Sequence, residues 1–376
     1  MTPTDDAHAP ARTTAPADPL GDHAARTAPP AVRTRRYSPL LDVLRIVAVI
    51  GVVTVHVIAD HLATEAAVPI HVLRSLLATT VPAFIMISGA LNLAPAAMRH
   101  GSGRFLGRRL RRLLPATVVW TAFYLLIMNI WLPAEEPDPR QEVLDLITAD
   151  TYPHLYFLPL IIGLTVITPV IATYVGDSAR RAWTTGAVAA GWALAVMAVP
   201  PLTEGLLGEA VVPLQLGALT YFLPFIGYYV LGRAAWAAPV GRRGALALLL
   251  AAVPVLTALT VWAYLSRVTD APPGQVLLPT YVSPFVMLLS LALVIALMGL
   301  GKSWRVGTQA EGVLRTLGDA TFGVFLVHFA ILIPLRGLGF PETSVLAVLA
   351  LIAVVTTVSF AIALLGKRVP GLREIL

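Results

Sequence analysis

The chain has 376 residues, of which 57% are apolar and 13% charged, with a formal net charge of +6. Soluble domains carry roughly 45–50% apolar and about 25% charged residues, so this composition excludes a disordered protein and argues against a soluble enzyme. With no cysteine, disulfides, thiolate catalysis, zinc–thiolate sites and iron–sulfur clusters are excluded as well.

Residues 1–36 are rich in Ala, Pro and Thr and contain no apolar run. They cannot bury enough surface to order themselves, and they lack the apolar core of a signal peptide, so they are predicted to form a flexible tail. Beyond them, apolar stretches of about 20 residues recur, the length a membrane helix needs. Spans are predicted at 40–60, 72–94, 113–132, 155–175, 182–200, 211–231, 244–265, 279–300, 319–336 and 343–365. The expected architecture is an all-α integral membrane protein, a polytopic bundle of about ten transmembrane helices over 37–366. A short tail over 367–376 completes the chain.

The basic residues orient this bundle. An even number of spans places both termini on one side, and 22 of the 27 Lys and Arg residues then fall on that side. Only Arg74, Arg140, Arg267 and Arg336 fall on the other, and Arg45 lies inside the first span. By the positive-inside rule both termini are cytoplasmic, in a plasma membrane. The net charge is therefore topological, and no nucleic-acid partner is expected. Glu135, Glu136, Asp138, Glu142, Asp145 and Asp150 make the connection after span three acidic, read as a solvated loop helix. No repeat of 20–50 residues occurs.

Ionisable groups within hydrocarbon are costly and mark candidate sites. Span one carries Asp42, Arg45 and His56. Asp42 and Arg45 are i, i+3 neighbours, able to pair on one face or to anchor the helix at the headgroups. His56 lies eleven residues further on, about 16 Å along the axis, in the outer half of the membrane. It has no headgroup to reach and is expected to face the interior. Asp60, one turn outward, reads as an interfacial residue. His154 opens span four and His328 lies mid-span nine. A lone histidine of this kind commonly serves as a structural hydrogen-bonder. His61, His71 and His100 lie in or beside loops and receive no role. No HExxH or paired carboxylate–histidine spacing occurs, so no metal is expected.

The run RFLGRRLRRLLP leads into span three. Arg108 with Arg111, and Arg109 with Arg112, form two adjacent guanidinium stripes on a helix. Arg forks bind phosphate bidentately, and a topology anchor on anionic lipid is the plainer reading. No P-loop occurs.

At these residues the chain resembles the acyltransferase family 3 membrane proteins, in particular the surface-polysaccharide O-acyltransferases. The likeness rests on LDVLRIVAVIGVVTVH, VPAFIMISGALN, RRLRRLLP, HLYFLPLIIGLTVITPVI and FGVFLVH, in that order, over 37 to about 335. Phe325 stands where a Tyr is common. The resemblance implies an O-acyltransferase that takes acyl-CoA, normally acetyl-CoA, as co-substrate, with a sugar or glycan hydroxyl as acceptor and no bound cofactor. It implies that His56 is catalytic and that Arg108, Arg109, Arg111 and Arg112 bind acyl-CoA, with Asp42, Arg45, His154 and His328 in support.

The layout suits that chemistry. CoA phosphates would meet the cytoplasmic arginines, and the pantetheine arm would run between helices toward His56. A neutral imidazole, with an ordinary pKa of about 6.5, suits a general base for a hydroxyl, while an acyl-imidazole intermediate is the competing chemistry. Ser88 lies away from His56, and helix packing explains its Ser-Gly pair better than nucleophilicity. The rival function is a proton-coupled secondary transporter or glycan exporter, which also uses intramembrane Asp, Arg and His. Transporters often show repeats and broken helix pairs, neither of which is clear here.

Overall fold

The computed structural model describes residues 38–59, 68–128, 139–268, 280–340, 342 and 344–376. The predicted 1–36 tail, Asp60, His61 and the carboxylates Glu135, Glu136 and Asp138 lie outside the described residues. In chain order the α-helices are α1 (Pro39–Val57), α2 (Val68–Leu77), α3 (Thr80–Asn92), α4 (Pro95–Met98), α5 (Ser102–Phe123), α6 (Pro139–Thr148), α7 (Phe157–Val175) and α8 (Ala179–Leu207). They continue as α9 (Ile226–Ala237), α10 (Arg242–Ala247), α11 (Val253–Val268), α12 (Pro284–Gly301), α13 (Thr308–Gly337), α14 (Val345–Gly366) and α15 (Leu372–Ile375). Among the described residues there is no strand, and eight helical stretches are long and apolar enough to cross a membrane. The protein is an all-α polytopic membrane protein.

Local chemistry explains many boundaries. Ser178, Ser283 and Ser344 open α8, α12 and α14 by accepting the backbone N–H groups of Arg181, Val286 and Ala347, groups a helix start leaves unpaired. Span two bends between α2 and α3. Pro82 lacks the N–H that would bond the Ala78 carbonyl, and at the same break the Thr79 and Thr80 hydroxyls bond the Leu76 and Leu77 carbonyls.

Eight stretches match predicted spans one, two, four, five and seven to ten; spans three and six differ. Span three is the second half of a longer helix. α5 begins at Ser102 and carries the arginine run, and the π-helical residues Tyr124–Met128 continue it. The four arginines keep α5 out of the apolar set. Span six is corrected more sharply. Residues 211–222 are not helical, and α9 has 12 residues, about 18 Å against a hydrocarbon core of about 30 Å. Gly208 ends α8 in a left-handed conformation at φ +78°, and Pro213, Gly217 and Pro224 break up the segment between α8 and α9. Arg233, read as part of a cytoplasmic connection, instead lies buried inside α9, 3.7 Å from Asp177.

The centre of the bundle is α1, α3, α9 and α13. α3 packs along α9, α1 along both α3 and α13, and α8 and α14 lie against α9 and α13. Two glycines set the α3–α9 crossing. A Cβ at Gly89 would fall on the Tyr229 carbonyl, and one at Gly232 on the Met86 carbonyl. The two backbones therefore touch, as small residues allow in membrane helices. Gly89, of the Ser88-Gly89 pair, serves this close packing.

Candidate active site

Three histidines from three elements meet at one end of the bundle. His56 is the penultimate residue of α1, His328 lies within α13, and His154 precedes α7 by three residues. The His56 and His328 ring centroids are 5.4 Å apart, and those of His154 and His328 are 4.9 Å apart. Phe329 is the hub, 4.6 Å from His56, 4.9 Å from His328 and stacked on His154 at 4.8 Å. Phe325 packs on His154 at 5.3 Å, so the residue that stands where Tyr is common contributes an apolar wall. His154 and His328 are fully buried, whereas His56 is only partly so. Of the three, His56 is the least enclosed.

The cluster's protonation is partly fixed by geometry. His328 Nδ1 lies 2.7 Å from the Phe325 carbonyl. A carbonyl only accepts, so in the neutral ring Nδ1 carries the proton and Nε2 the lone pair. Among the described residues no group of three or more His, Asp or Glu is placed to hold a metal ion.

At the other end of α1, Asp42 and Arg45 form an ion pair at 3.1 Å. Asp42 is buried against α13 at Gly318, where a Cβ would come within 2.7 Å of its Oδ1. Arg45 is close enough to act electrostatically on Arg109 and Arg112. The arginine run then divides. Arg109 donates to Asn92 Oδ1 on α3 at 2.6 Å. Arg112 lies over the Phe322 ring of α13 at 5.1 Å and donates to the Leu376 backbone oxygen at 3.4 Å. Arg108 bonds its own helix, at the Arg104 carbonyl. Among the described residues Arg109 has no carboxylate within ion-pair distance, whereas Arg112 meets the oxygen of the last residue, Leu376, and is attracted by Asp319. Both remain open to solvent. Arg109 is a cation turned toward the bundle with a neutral partner.

The acyltransferase domain family matches residues 39–364 of the chain. The chain belongs to acyltransferase family 3. No curated protein and no solved structure matched it. The match runs from the first residue of α1 to within the last turn of α14, so the histidine cluster and the arginine pair both lie in this family 3 domain.

Several residues around the candidate site escaped sequence reasoning. Tyr124 Oη donates to the Leu326 carbonyl at 2.7 Å and accepts from the Ala330 N–H at 3.2 Å. It grips the turn of α13 that carries His328 and packs on His154 at 4.9 Å. A phenol in an apolar span was the available signal. Tyr152 lies 5.4 Å from Phe329 and 4.5 Å from Tyr124, and burial holds its phenol above the ordinary value. The turn that seats Tyr152 and His154 begins at Ala149, left-handed at φ +62°, a conformation costing a non-glycine roughly 1–2 kcal/mol. Arg336 donates to the Val57 carbonyl at 2.8 Å and to both Glu342 oxygens at 2.7 and 3.1 Å, tying α1 to α13 beside His56. The division of the arginines also had a signal. Phe105, Leu113 and Ala116 are the buried residues of α5, and Arg109 and Arg112 fall on their 3–4 stripe.

Proposed function

We propose that this acyltransferase moves an acyl group, acetyl in the simplest case, from cytoplasmic acyl-CoA to a hydroxyl of a sugar or glycan. It is an O-acyltransferase of the plasma membrane with both termini cytoplasmic. The observation that carries the reading is the content of α1, with a partly buried imidazole at one end and Arg45 beside two further cations at the other. His56 and Arg45 are about 16 Å apart along the helix. CoA phosphates sit at Arg109, Arg112 and Arg45, and the extended pantetheine arm bridges to His56. Arg108 and Arg111 anchor the loop at anionic headgroups.

Neutral His56 accepts the proton of the acceptor hydroxyl as that oxygen attacks the thioester carbonyl. The new C–O bond forms, the tetrahedral intermediate collapses, and the C–S bond breaks. The proton held by His56 passes to the departing CoA thiolate. The step balances without a cofactor. His154 and His328, packed through Phe329, hold the His56 ring in place.

The test supplies purified protein in lipid nanodiscs with radiolabelled acetyl-CoA and a mixture of glycosides. Label should appear as sugar ester in wild type and vanish in His56→Ala. Wild-type protein that neither binds nor consumes acetyl-CoA overturns the reading. For topology, a reporter fused after Leu376 should be active only in the cytoplasm, and an extracytoplasmic signal overturns the orientation.

A further inference from the structure

Arg109 is held by a chain of side chains that the transfer step does not use. Thr168 on α7 has one hydroxyl proton, which goes to the Leu164 carbonyl at 2.6 Å. Tyr229 Oη on α9 lies 2.7 Å from the same Thr168 oxygen, so in that bond the phenol donates. The Tyr229 phenol also neighbours the Asn92 side chain on α3, close enough to act on it. With its own proton committed to Thr168, it presents a lone pair, which favours the Asn92 amide on its side. That turns Asn92 Oδ1 toward Arg109, which donates at 2.6 Å. A guanidinium on α5 is thus held by a neutral oxygen on α3, beside a phenol braced on α7. Asn92, Tyr229 and Thr168 are buried. The Gly89–Tyr229 contact brings the α9 backbone onto α3 one turn before Asn92.

A buried polar chain often serves packing alone. This one ends on a cation that has no carboxylate among the described residues and stays open to solvent. An aspartate at position 92 would compensate Arg109 fully, whereas an asparagine holds the guanidinium and leaves its charge. Only one of the five guanidinium N–H donors is used by Asn92. We infer that Asn92 and Tyr229 are positioning residues of a phosphate seat at Arg109, holding the guanidinium with a neutral acceptor so that its charge remains for the donor. The inference rests on the acyl-CoA reading and adds two residues to it.

The experiment measures acetyl-CoA affinity and melting temperature for the full-length protein in phosphatidylcholine nanodiscs. Wild type is compared with Asn92→Asp, Asn92→Ala and Tyr229→Phe. Asn92→Asp should weaken binding most, by about 10–150-fold, the value of one charge-assisted contact, although it is nearly isosteric. Tyr229→Phe frees the Asn92 amide to turn and should cost roughly 2–10-fold. Asn92→Ala should fall between them. A packing role predicts the opposite: affinity tracks melting temperature, and Asn92→Asp binds within twofold of wild type. That result overturns the inference. Wild type that fails to bind acetyl-CoA overturns the acyl-CoA reading itself. A lipid headgroup offers the same phosphate chemistry. If enriching the nanodiscs in phosphatidylglycerol weakens wild-type binding as much as Asn92→Asp does, the seat belongs to lipid and the inference falls.

Discussion

The two ends of α1 are built from opposite materials. At the His56 end, rings are packed against one another, and of the three imidazoles only His56 is less than fully buried. At the Arg45 end, cations outnumber carboxylates: Asp42 pairs with Arg45, Asn92 holds Arg109 with a neutral oxygen, and Arg109 and Arg112 stay open to solvent. Dense packing fixes the orientation of a reactive group, which proton transfer requires. Open, undercompensated charge leaves room and attraction for an anion, which binding requires. Substitutions at the two ends should therefore fail differently.

The largest effect is expected at the packed end. His56→Ala should lower transfer by about 10²–10⁴-fold, the usual loss for a general base, while acetyl-CoA affinity stays near wild type. His56→Gln should fail equally, since an amide bonds but does not take the proton. Near-normal transfer by His56→Gln at matched levels of folded protein would remove the distinction between the ends. The open end should show the converse. Arg109→Gln or Arg112→Gln should raise the acyl-CoA KM roughly 10–150-fold with kcat preserved. Arg108→Gln and Arg111→Gln should change it less than about threefold, as expected for exposed charges. Equal effects across the four would dissolve the two-stripe assignment.

A third, smaller effect probes the junction. Tyr124→Phe leaves the Leu326 and Ala330 groups without their phenol partner and should cost about 1–3 kcal/mol of stability, read as a lower melting temperature in detergent. Unchanged melting would mean that the hydroxyl does not brace α13. The smallest effect is ionic. Raising salt should weaken acetyl-CoA binding by screening the open cations and leave turnover at saturating donor unchanged. A salt-sensitive kcat would place charge in the chemical step.

Legibility in the sequence followed the same contrast. The apolar blocks and the serine caps are local signals, and eight of the ten expected spans match helices at nearly the expected places. The Asp42–Arg45 pair needed only i, i+3 spacing. The convergence of His56, His154 and His328 needed tertiary structure, because α1, α7 and α13 are far apart in the chain. Arg109 and Arg112 were distinguishable from Arg108 and Arg111 by the Phe105–Leu113–Ala116 stripe, but the charge density of the run masked that period. Residues 211–222 failed for another reason. Their apolar content matches a span, and Pro213 and Gly217 counted for more than composition did. Asn92 and Tyr229 were invisible because hydrogen bonds between helices leave no periodic trace.

The brevity of α9 has its own consequence. Its 12 residues leave about 12 Å of a typical hydrocarbon slab unspanned by regular helix. The missing length lies at the end near His154, since Ala218 N–H bonds the Ile147 carbonyl and a Cβ at Gly163 would strike the Phe222 ring. Irregular backbone survives at such depth only against protein or water. On the proposed orientation that side faces the acceptor, so irregular polypeptide there would take the place of lipid tails in the path of a hydrated molecule, and partition into oil would cease to limit its arrival.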